Sequence, residues 1–544
     1  MSIPETTNRD IRMRHPRPRH ATLAALAGAM ALAGCQDLAV TNPNRPDRER
    51  ATQQATSVET FVSSSFRNWF PTAHDNYPAW ALSTVANEAT SGFTDYGQLT
   101  PSAEPRGAWN NSPVSADREV NQNPWRDLYA TISTVNDALI AMDSGLVIVD
   151  DARTARARSV AKFIQGISHG SLGIYFDQAF IVDEKLALDT VSTPTFHPYP
   201  EVIAASIEQL DEAARIANAA SFSIPLASWL YQDMTSTEVA QLASSFSARI
   251  MVAGARNRAE RDGLDWNEVL RRIDAGIKVD YAPIGQPDIL EDNWKFRLAR
   301  LRTVGKPSDY GRPSYWLLGP ADASNGFIQW VKTPVQQRTP FQMNTSDRRI
   351  QGPGGPDDPG KYFVYNLNDV FQPSRGTYRF SHYAYTRWGT GTSWQTGPLP
   401  TLTVAEMDLL KAEALIRLGR AGEAVPLINK TRVANGELPP VTIDGPPDEA
   451  GCVPRKLNGD CGSLWDALRY ERRIETYGIN GYLAFTDARG WQTLPVNSLI
   501  QLPVPGAELE TLQLPNYTFG GPGGEGSAPE PDPERCPVAL ARCS

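Results

Sequence analysis

Cys35 has the clearest chemical assignment in the chain. It ends Leu32-Ala33-Gly34-Cys35, directly after the short apolar run Ala21–Ala31, and a basic stretch with Arg9, Arg12, Arg14, Arg17 and Arg19 precedes that run. A basic head, an apolar middle and small residues before a cut form a secretory signal. A cysteine just after the cut makes it a bacterial lipobox, so residues 1–34 are expected to be removed and the Cys35 thiol to carry acyl chains such as palmitate. The apolar run is shorter than the about 20 residues that cross a hydrocarbon core, which fits a cleaved leader. Two or more acyl chains anchor a protein stably where one holds it only marginally. The other cysteines are Cys452, Cys461, Cys536 and Cys543. An even number in two close pairs, in an exported chain, points to disulfides. Three connectivities exist, and proximity favours Cys452–Cys461 and Cys536–Cys543. Zinc is the rival reading, but the spacings lack a C-x2-C pair.

Other patterns invite chemistry and lose it in context. Gly166-Ile167-Ser168-His169-Gly170 matches the G-x-S-x-G nucleophile elbow, which needs a strand–turn–helix setting. Here Phe163, Ile164, Leu172 and Phe176 surround it in a helical pattern, so its glycines are expected at close helix contacts. Glu471, Arg472, Arg473 and Glu475 combine two carboxylates with two guanidiniums. At i, i+4 spacing they are expected to form a surface or helix–helix charge network rather than a catalytic site. The four histidines after the leader form no H-E-x-x-H, no P-loop or G-x-G-x-x-G occurs, and Asp357-Asp358 in a Gly/Pro loop reads as a solvated turn more than a Ca²⁺ site. The expectation is a protein that is not an enzyme and holds no cofactor or metal. A secreted hydrolase on a helical scaffold is one rival reading, and a purely structural tetratricopeptide adaptor is another.

Composition narrows the partners. Without residues 1–34 the chain keeps 510 residues, with 47 basic and 59 acidic side chains, a net charge of −12. So acidic a chain is a poor nucleic-acid binder. No later stretch of 18 apolar residues exists, so attachment to a membrane is expected through the N-terminus alone.

After the leader, the chain divides into five parts. Residues 35–57 read as a lipidated cysteine and a turn-rich tether through Asn42-Pro43-Asn44. From 58 to about 280, helical patterning dominates: Val58–Trp69, Ser83–Ala89, a helix opened by Pro124, Ala152–Phe176, Tyr199–Ala219, Thr237–Arg258 and Trp266–Ala275. Residues 281–400 are rich in Pro, Gly, Asn and aromatics, and predict loops and short strands. An irregular segment of that length inside a large domain is usually functional. Helices return over 401–519. Thr403-Val404-Ala405-Glu406 predicts a capping box, Gly419 and Gly422 punctuate a turn, Ala424–Val433 runs back to a stop near Gly436, and Leu464–Thr476 follows. That hairpin has the length of one tetratricopeptide unit. Residues 520–544 read as a mobile Gly/Pro/Cys tail. Trp125, Tyr129 and Trp465, at helical spacing, are expected in the core.

The ordered set of these markers resembles the SusD/RagB family of outer-membrane nutrient-binding lipoproteins. The N-terminal markers are the lipobox, Asn42-Pro43-Asn44 and Trp125-x-x-Leu128-Tyr129-x-x-Ile132-x-x-x-Asn136. Ala161-Lys162-Phe163, Leu210-Asp211-x-Ala213, Ala243 to Ala255 and Ser346-Asp347-Arg348-Arg349-Ile350 follow. The C-terminal block is the most specific: Ala412-Glu413-Ala414-Leu415, Leu427-Ile428-Asn429-Lys430-Thr431-Arg432, Tyr470-Glu471-Arg472-Arg473-x-Glu475, Gly481 to Arg489, and Pro503-x-Pro505. Leu483 stands where the family usually has Arg, and Asn480 where it usually has Glu, so a local salt-bridge pattern is altered.

The resemblance implies a mainly α, SusD-like fold of tetratricopeptide-like hairpins with a loop-rich, ligand-facing side. It implies a lid over a TonB-dependent, SusC-like transporter at the outer membrane, lipid-anchored and exposed at the cell surface. The ligand would be an oligosaccharide or, as in a RagB-like uptake protein, a peptide. Sugar recognition needs flat aromatic faces with a few amide and carboxylate hydrogen bonds. The loop-rich segments supply candidates in Trp80, Tyr96 and Trp109, in Tyr315, Trp316 and Trp330, and in Trp388 and Trp394, with Asn87, Glu88, Asn325, Gln329 and Arg387 interleaved. Any one of these rings could instead pack a loop onto the helical body.

Overall fold

The computed structural model describes residues 51–74, 77–90, 97, 100–186, 195–292, 312–365, 381–388, 396–447 and 452–530. Cys35, Tyr96, Trp394, Cys536 and Cys543 lie outside them.

Helix α1 (Ala55–Trp69) turns Val58, Val62, Phe66 and Trp69 inward at three- and four-residue spacing, so the helical body begins within the expected tether. Short helices α2 (Pro71–His74) and α3 (Ala79–Val85) follow. The expected second helix therefore sits four residues earlier than its reading from Ser83. Helix α4 (Glu119–Asp143) starts five residues before Pro124, which was expected to open it. Proline there forfeits a single backbone bond, and Val120, Pro124, Trp125 and Leu128 all bury, so the helix continues through it.

Helix α5 (Asp151–Tyr175) is capped by the Asp150 carboxylate, which accepts the Arg153 N–H at 2.7 Å. Helix α6 (Tyr199–Ala219) occupies the expected span. Helix α7 (Ser236–Gly254) begins at a full capping box of Thr235 and Glu238 and is followed by α8 (Arg258–Asp262) and α9 (Trp266–Asp274). Two-residue and three-residue strands pair in antiparallel fashion between these helices, β1 (Gln178–Phe180) with β2 (Phe196–Pro198) and β3 (Ser223–Ile224) with β4 (Met234–Thr235). Helices α4 to α7 run antiparallel to their neighbours: Asp143 pairs with Arg158, and Ser159 Oγ donates to the Ala213 carbonyl. The α5 glycines make this packing close. A Cβ on Gly166 would lie 2.7 Å from Leu210 Cγ, and one on Gly170 2.5 Å from Ile250 Cδ1.

Two arginines close one end of this layer, where α5 and α7 finish. Arg256 donates to the carbonyls of Gly173, Ile174 and Phe176 at the end of α5. Arg489 donates to Ala253 and Ala255 at the end of α7. Each is buried and satisfies carbonyls left orphaned at a helix C-terminus, where the helix dipole also favours a cation.

The middle segment holds the short helices α10 (Tyr315–Leu318) and α11 (Gly326–Lys332) and the hairpin partners β5 (Phe363–Tyr365) and β6 (Tyr383–Tyr385). The loop-rich expectation describes it well. Helices α12 (Val404–Arg417) and α13 (Ala421–Ala434) then form the expected hairpin, and α14 (Leu464–Thr476), α15 (Leu483–Gly490) and α16 (Gly506–Thr511) complete the order. The α12 cap differs from its expectation in one respect. Thr403 Oγ1 accepts the Glu406 N–H at 3.1 Å, but the Glu406 carboxylate binds Arg249 instead of reaching back to the cap.

Residues from Gly520 to Glu530 were expected in a mobile tail and instead extend the body. Ala528 exchanges backbone bonds with Asn497 and Ser498 at 3.0 and 2.7 Å, and Trp109 N–H donates to Phe519 at 2.9 Å. The larger apolar core is helical, and a second core is dominated by aromatic rings of the middle segment. Trp125 is buried in the first core, with Tyr129 and Trp465 packed at its margin. Among the described residues no helix is long and apolar enough to cross a membrane.

Candidate ligand-binding site

Helix α14 is the post on which the middle segment hangs. Ser463 and Asp466 form its capping box. Its Glu471 and Glu475 have no exposed surface to speak of, and both bind the buried guanidinium of Arg349 at 2.6 and 2.9 Å. Asp347 holds the same guanidinium at 2.7 Å and accepts from the Tyr470 hydroxyl at 2.7 Å. Glu475 also pairs with Arg387 at 3.0 Å. Arg472 turns the other way, to Asp487 at 2.6 Å, and Arg473 donates to the carbonyls of Trp316 and Asn87. The four charged residues expected on a surface or helix–helix interface thus form an interior weld joining distant segments of the chain to α14. Both carboxylates are spent on arginines, an arrangement that holds a fold and leaves no acid–base pair facing solvent.

The weld sets the aromatic rings. Trp80, Tyr315, Trp330, Tyr362, Tyr383 and Tyr385 share the second core, and Trp316 and Trp388 pack partly buried against it. Tyr315 stacks on Phe341 at 4.3 Å between centroids and meets Trp330 at 5.4 Å, while Trp316 meets Trp330 edge-on at 6.0 Å. Arg338 lies over Trp330 at 4.6 Å. Arg387 lies between Tyr362 at 4.1 Å and Trp388 at 4.3 Å. Trp109 stands apart in the helical core.

This placement sorts the candidates. Trp80 is fully buried, and Trp109, Tyr315 and Trp330 keep only a few per cent of their surface. Their rings serve packing, because a sugar needs a face open to solvent. Trp316 and Trp388 keep partial exposure, as do Phe341 and Tyr365, and form the outer edge of the aromatic layer. Asn325 and Gln329 are exposed at the start of α11, which supplies amides beside that layer. Phe341, Tyr362, Tyr365 and Arg338 were not singled out from the sequence. Their signal was present in the aromatic content of the irregular segment, but ring contacts across 315–385 depend on tertiary placement.

Cys452 and Cys461 are joined, with Cα atoms 5.6 Å apart. Their loop is fastened to the α10–α11 connection by the Arg455 N–H, which donates to the Pro320 carbonyl at 2.7 Å. Arg432 fastens its other side by donating to the Val453 carbonyl at 2.6 Å. Glu88 lies behind α10, its carboxylate accepting from Ser83 and its carbonyl from the Ser314 N–H. Burial pushes its pKa up to about 8 against the opposing pull of Arg473.

The remaining chemical patterns resolve structurally. The G-x-S-x-G residues are buried in the middle of α5, where Ser168 Oγ donates to the Ile164 carbonyl at 2.7 Å, so no strand–turn–helix elbow exists. Asp358 accepts the Gly354 N–H at 2.8 Å, which closes a turn. Among the described residues no three His, Cys, Asp or Glu side chains gather as a metal site. Asn480 and Leu483 are buried, Asn480 accepting the Tyr482 N–H at 3.1 Å and Leu483 packing in the core. A cleft of about 340 Å³ between α6, α7 and α9 is lined by polar and small residues including Asp211, Gln241, Ser244 and Arg272, and by none of the candidate rings.

No family model and no curated protein sequence matches the chain. Solved structures do. A SusD superfamily protein from Parabacteroides distasonis superposes with a TM-score of 0.56 at 11% identity, over 86% of this chain and 98% of that one. A SusD-like carbohydrate binding protein from Bacteroides vulgatus gives 0.51 at 13% identity, over 88% and 93%. A SusD superfamily protein from Bacteroides thetaiotaomicron gives 0.51 at 12% identity, over 84% and 98%. The chain has the SusD fold, mainly helical and tetratricopeptide-like, and the agreement covers nearly the whole of these relatives.

Proposed function

We propose that this chain is a non-enzymatic, surface-exposed lipoprotein that captures nutrient oligomers, oligosaccharides first, and passes them to a TonB-dependent, SusC-like transporter. The observation that carries this reading is the partly exposed aromatic edge of Trp316, Phe341, Tyr365 and Trp388, beside α14 within a SusD fold. Rings of this kind cover the apolar faces of sugars while neighbouring amides bond the hydroxyls. The carbohydrate binding described for the Bacteroides vulgatus relative supports the choice of ligand. The lipobox at Cys35 supports attachment to the outer membrane.

Affinity electrophoresis in gels containing soluble polysaccharides tests the ligand. Retardation is expected, and Trp316→Ala or Trp388→Ala should each weaken it about tenfold, the equivalent of about 1.4 kcal/mol. Retardation by peptides alone would favour the RagB-like alternative. Turnover of polysaccharide or peptide mixtures by the purified chain would overturn the non-enzymatic reading. Recovery of no barrel protein in a mild-detergent pull-down would overturn the transporter partnership.

A further inference from the structure

One end of the helical layer presents apolar side chains that the fold does not use. The α4–α5 turn, Ser144 to Asp150, exposes Val147 at 55% and Val149 at 67%. Val149 has φ +60°, and the Asp150 N–H bonds back to the Ile148 carbonyl at 2.6 Å across it. A β-branched residue in that region is a costly outlier, and such strain persists only where surrounding structure enforces it. Ile140, one turn before the end of α4, is also exposed. So is Leu226, in the loop that Arg156 of α5 holds through the Ser223 carbonyl and the Trp229 ring. Glu59 pairs with both Arg153 and Arg156 at the same end.

The chain enters the body here. Glu59 near the start of α1 binds Arg153 and Arg156 near the start of α5, and Trp69 at the end of α1 donates to Ser171 near the end of α5. The two helices are therefore parallel, and Ala55 lies at the end that carries the valine turn. Cys35 is twenty residues upstream, a stretch that cannot span more than about 70 Å. We infer that the valine turn, with Ile140 and Leu226, rests in the lipid surface that holds the acylated Cys35 and fixes how the body stands on it. The inference rests on the lipoprotein reading. A bilayer matches what is exposed: an apolar tip at the end where the chain enters the body.

Hydrogen exchange on the full lipidated chain tests this, using vesicles of phosphatidylethanolamine and phosphatidylglycerol, with the Cys35→Ser chain in buffer as reference. Amides of residues 144–150 should exchange about fivefold or more slowly on vesicles, a local protection that covered loops acquire. Val147→Asp with Val149→Asp, both at exposed positions, should leave the chain pelleting with vesicles and abolish that protection. A wild-type chain that pellets while the turn exchanges at its solution rate overturns this inference and leaves the lipoprotein reading intact. A chain that never pellets overturns both. Protection found only in native outer membranes, and not on vesicles, assigns the turn to a protein partner and overturns it as well.

Discussion

Arg349 pairs with Asp347, Glu471 and Glu475 in a site closed to water. Arg349→Met would strip Asp347 and Glu471 of their closest cation and leave Glu475 with Arg387, and removing one partner of such a buried set costs about 3–5 kcal/mol. A urea titration should show that loss as a lower midpoint. His169 behaves oppositely, as a buried base kept neutral. Its Nδ1–H faces the Gln209 and Gln165 carbonyl oxygens at 2.9 and 3.2 Å, while Nε2 accepts the Val182 N–H at 3.2 Å. Burial lowers its pKa to about 4, against the hydrogen bonds that favour the cation. The unfolded chain therefore binds the extra proton first. Its contribution is full above about pH 6.5 and lost as pH falls through about 4, up to roughly 3 kcal/mol. Thermal melts of the wild type across this window should fall more steeply than those of His169→Gln.

At the scale of elements, glycine position decides the sign of a substitution. Alanine is the better helix former by about 0.5–1 kcal/mol, so a helical glycine needs a reason. In α5 the reason is contact: a Cβ at Gly166 would meet Leu210 Cγ at 2.7 Å and the Ser206 carbonyl at 3.1 Å. Gly166→Ala should destabilise by about 1–3 kcal/mol through overpacking between α5 and α6. At Gly422 in α13 an added Cβ meets nothing within 4 Å, so Gly422→Ala should be neutral or stabilising. Circular-dichroism melts of the two variants should move in opposite directions. If both rose, the close approach of α5 and α6 would be wrong.

For the whole molecule, the question is how an irregular segment is held firmly enough to serve as the proposed binding face. The α14 weld, the Arg387 sandwich and the Cys452–Cys461 loop reach it from different sides. The disulfide closes a short loop worth roughly 2.5–3 kcal/mol in the chain-entropy model. Cys452→Ser with Cys461→Ser should lower the melting temperature. It should also weaken glycan retardation, because that loop fastens the Pro320 side of the α10–α11 connection. Loss of stability with unchanged retardation would place the ligand elsewhere on the body.

Local signals settled much of the helical body. The spans of α6 and α14, the α12–α13 hairpin and the irregular middle were legible because amphipathic period, caps and turn residues act within a few positions of one another. The proposed lipobox is likewise a contiguous pattern of the sequence. The start of α4 was not, since burial of Val120 and Trp125 carries the helix past the proline expected to open it. Nor was the division of the aromatic residues. Trp80 and Trp316 have the same chemistry and neighbouring roles in the sequence, yet one is sealed inside and the other stands at the edge. That choice follows contacts of Arg349, Arg387 and Arg473 with groups in distant parts of the chain, and long-range pairing leaves no trace in local spacing.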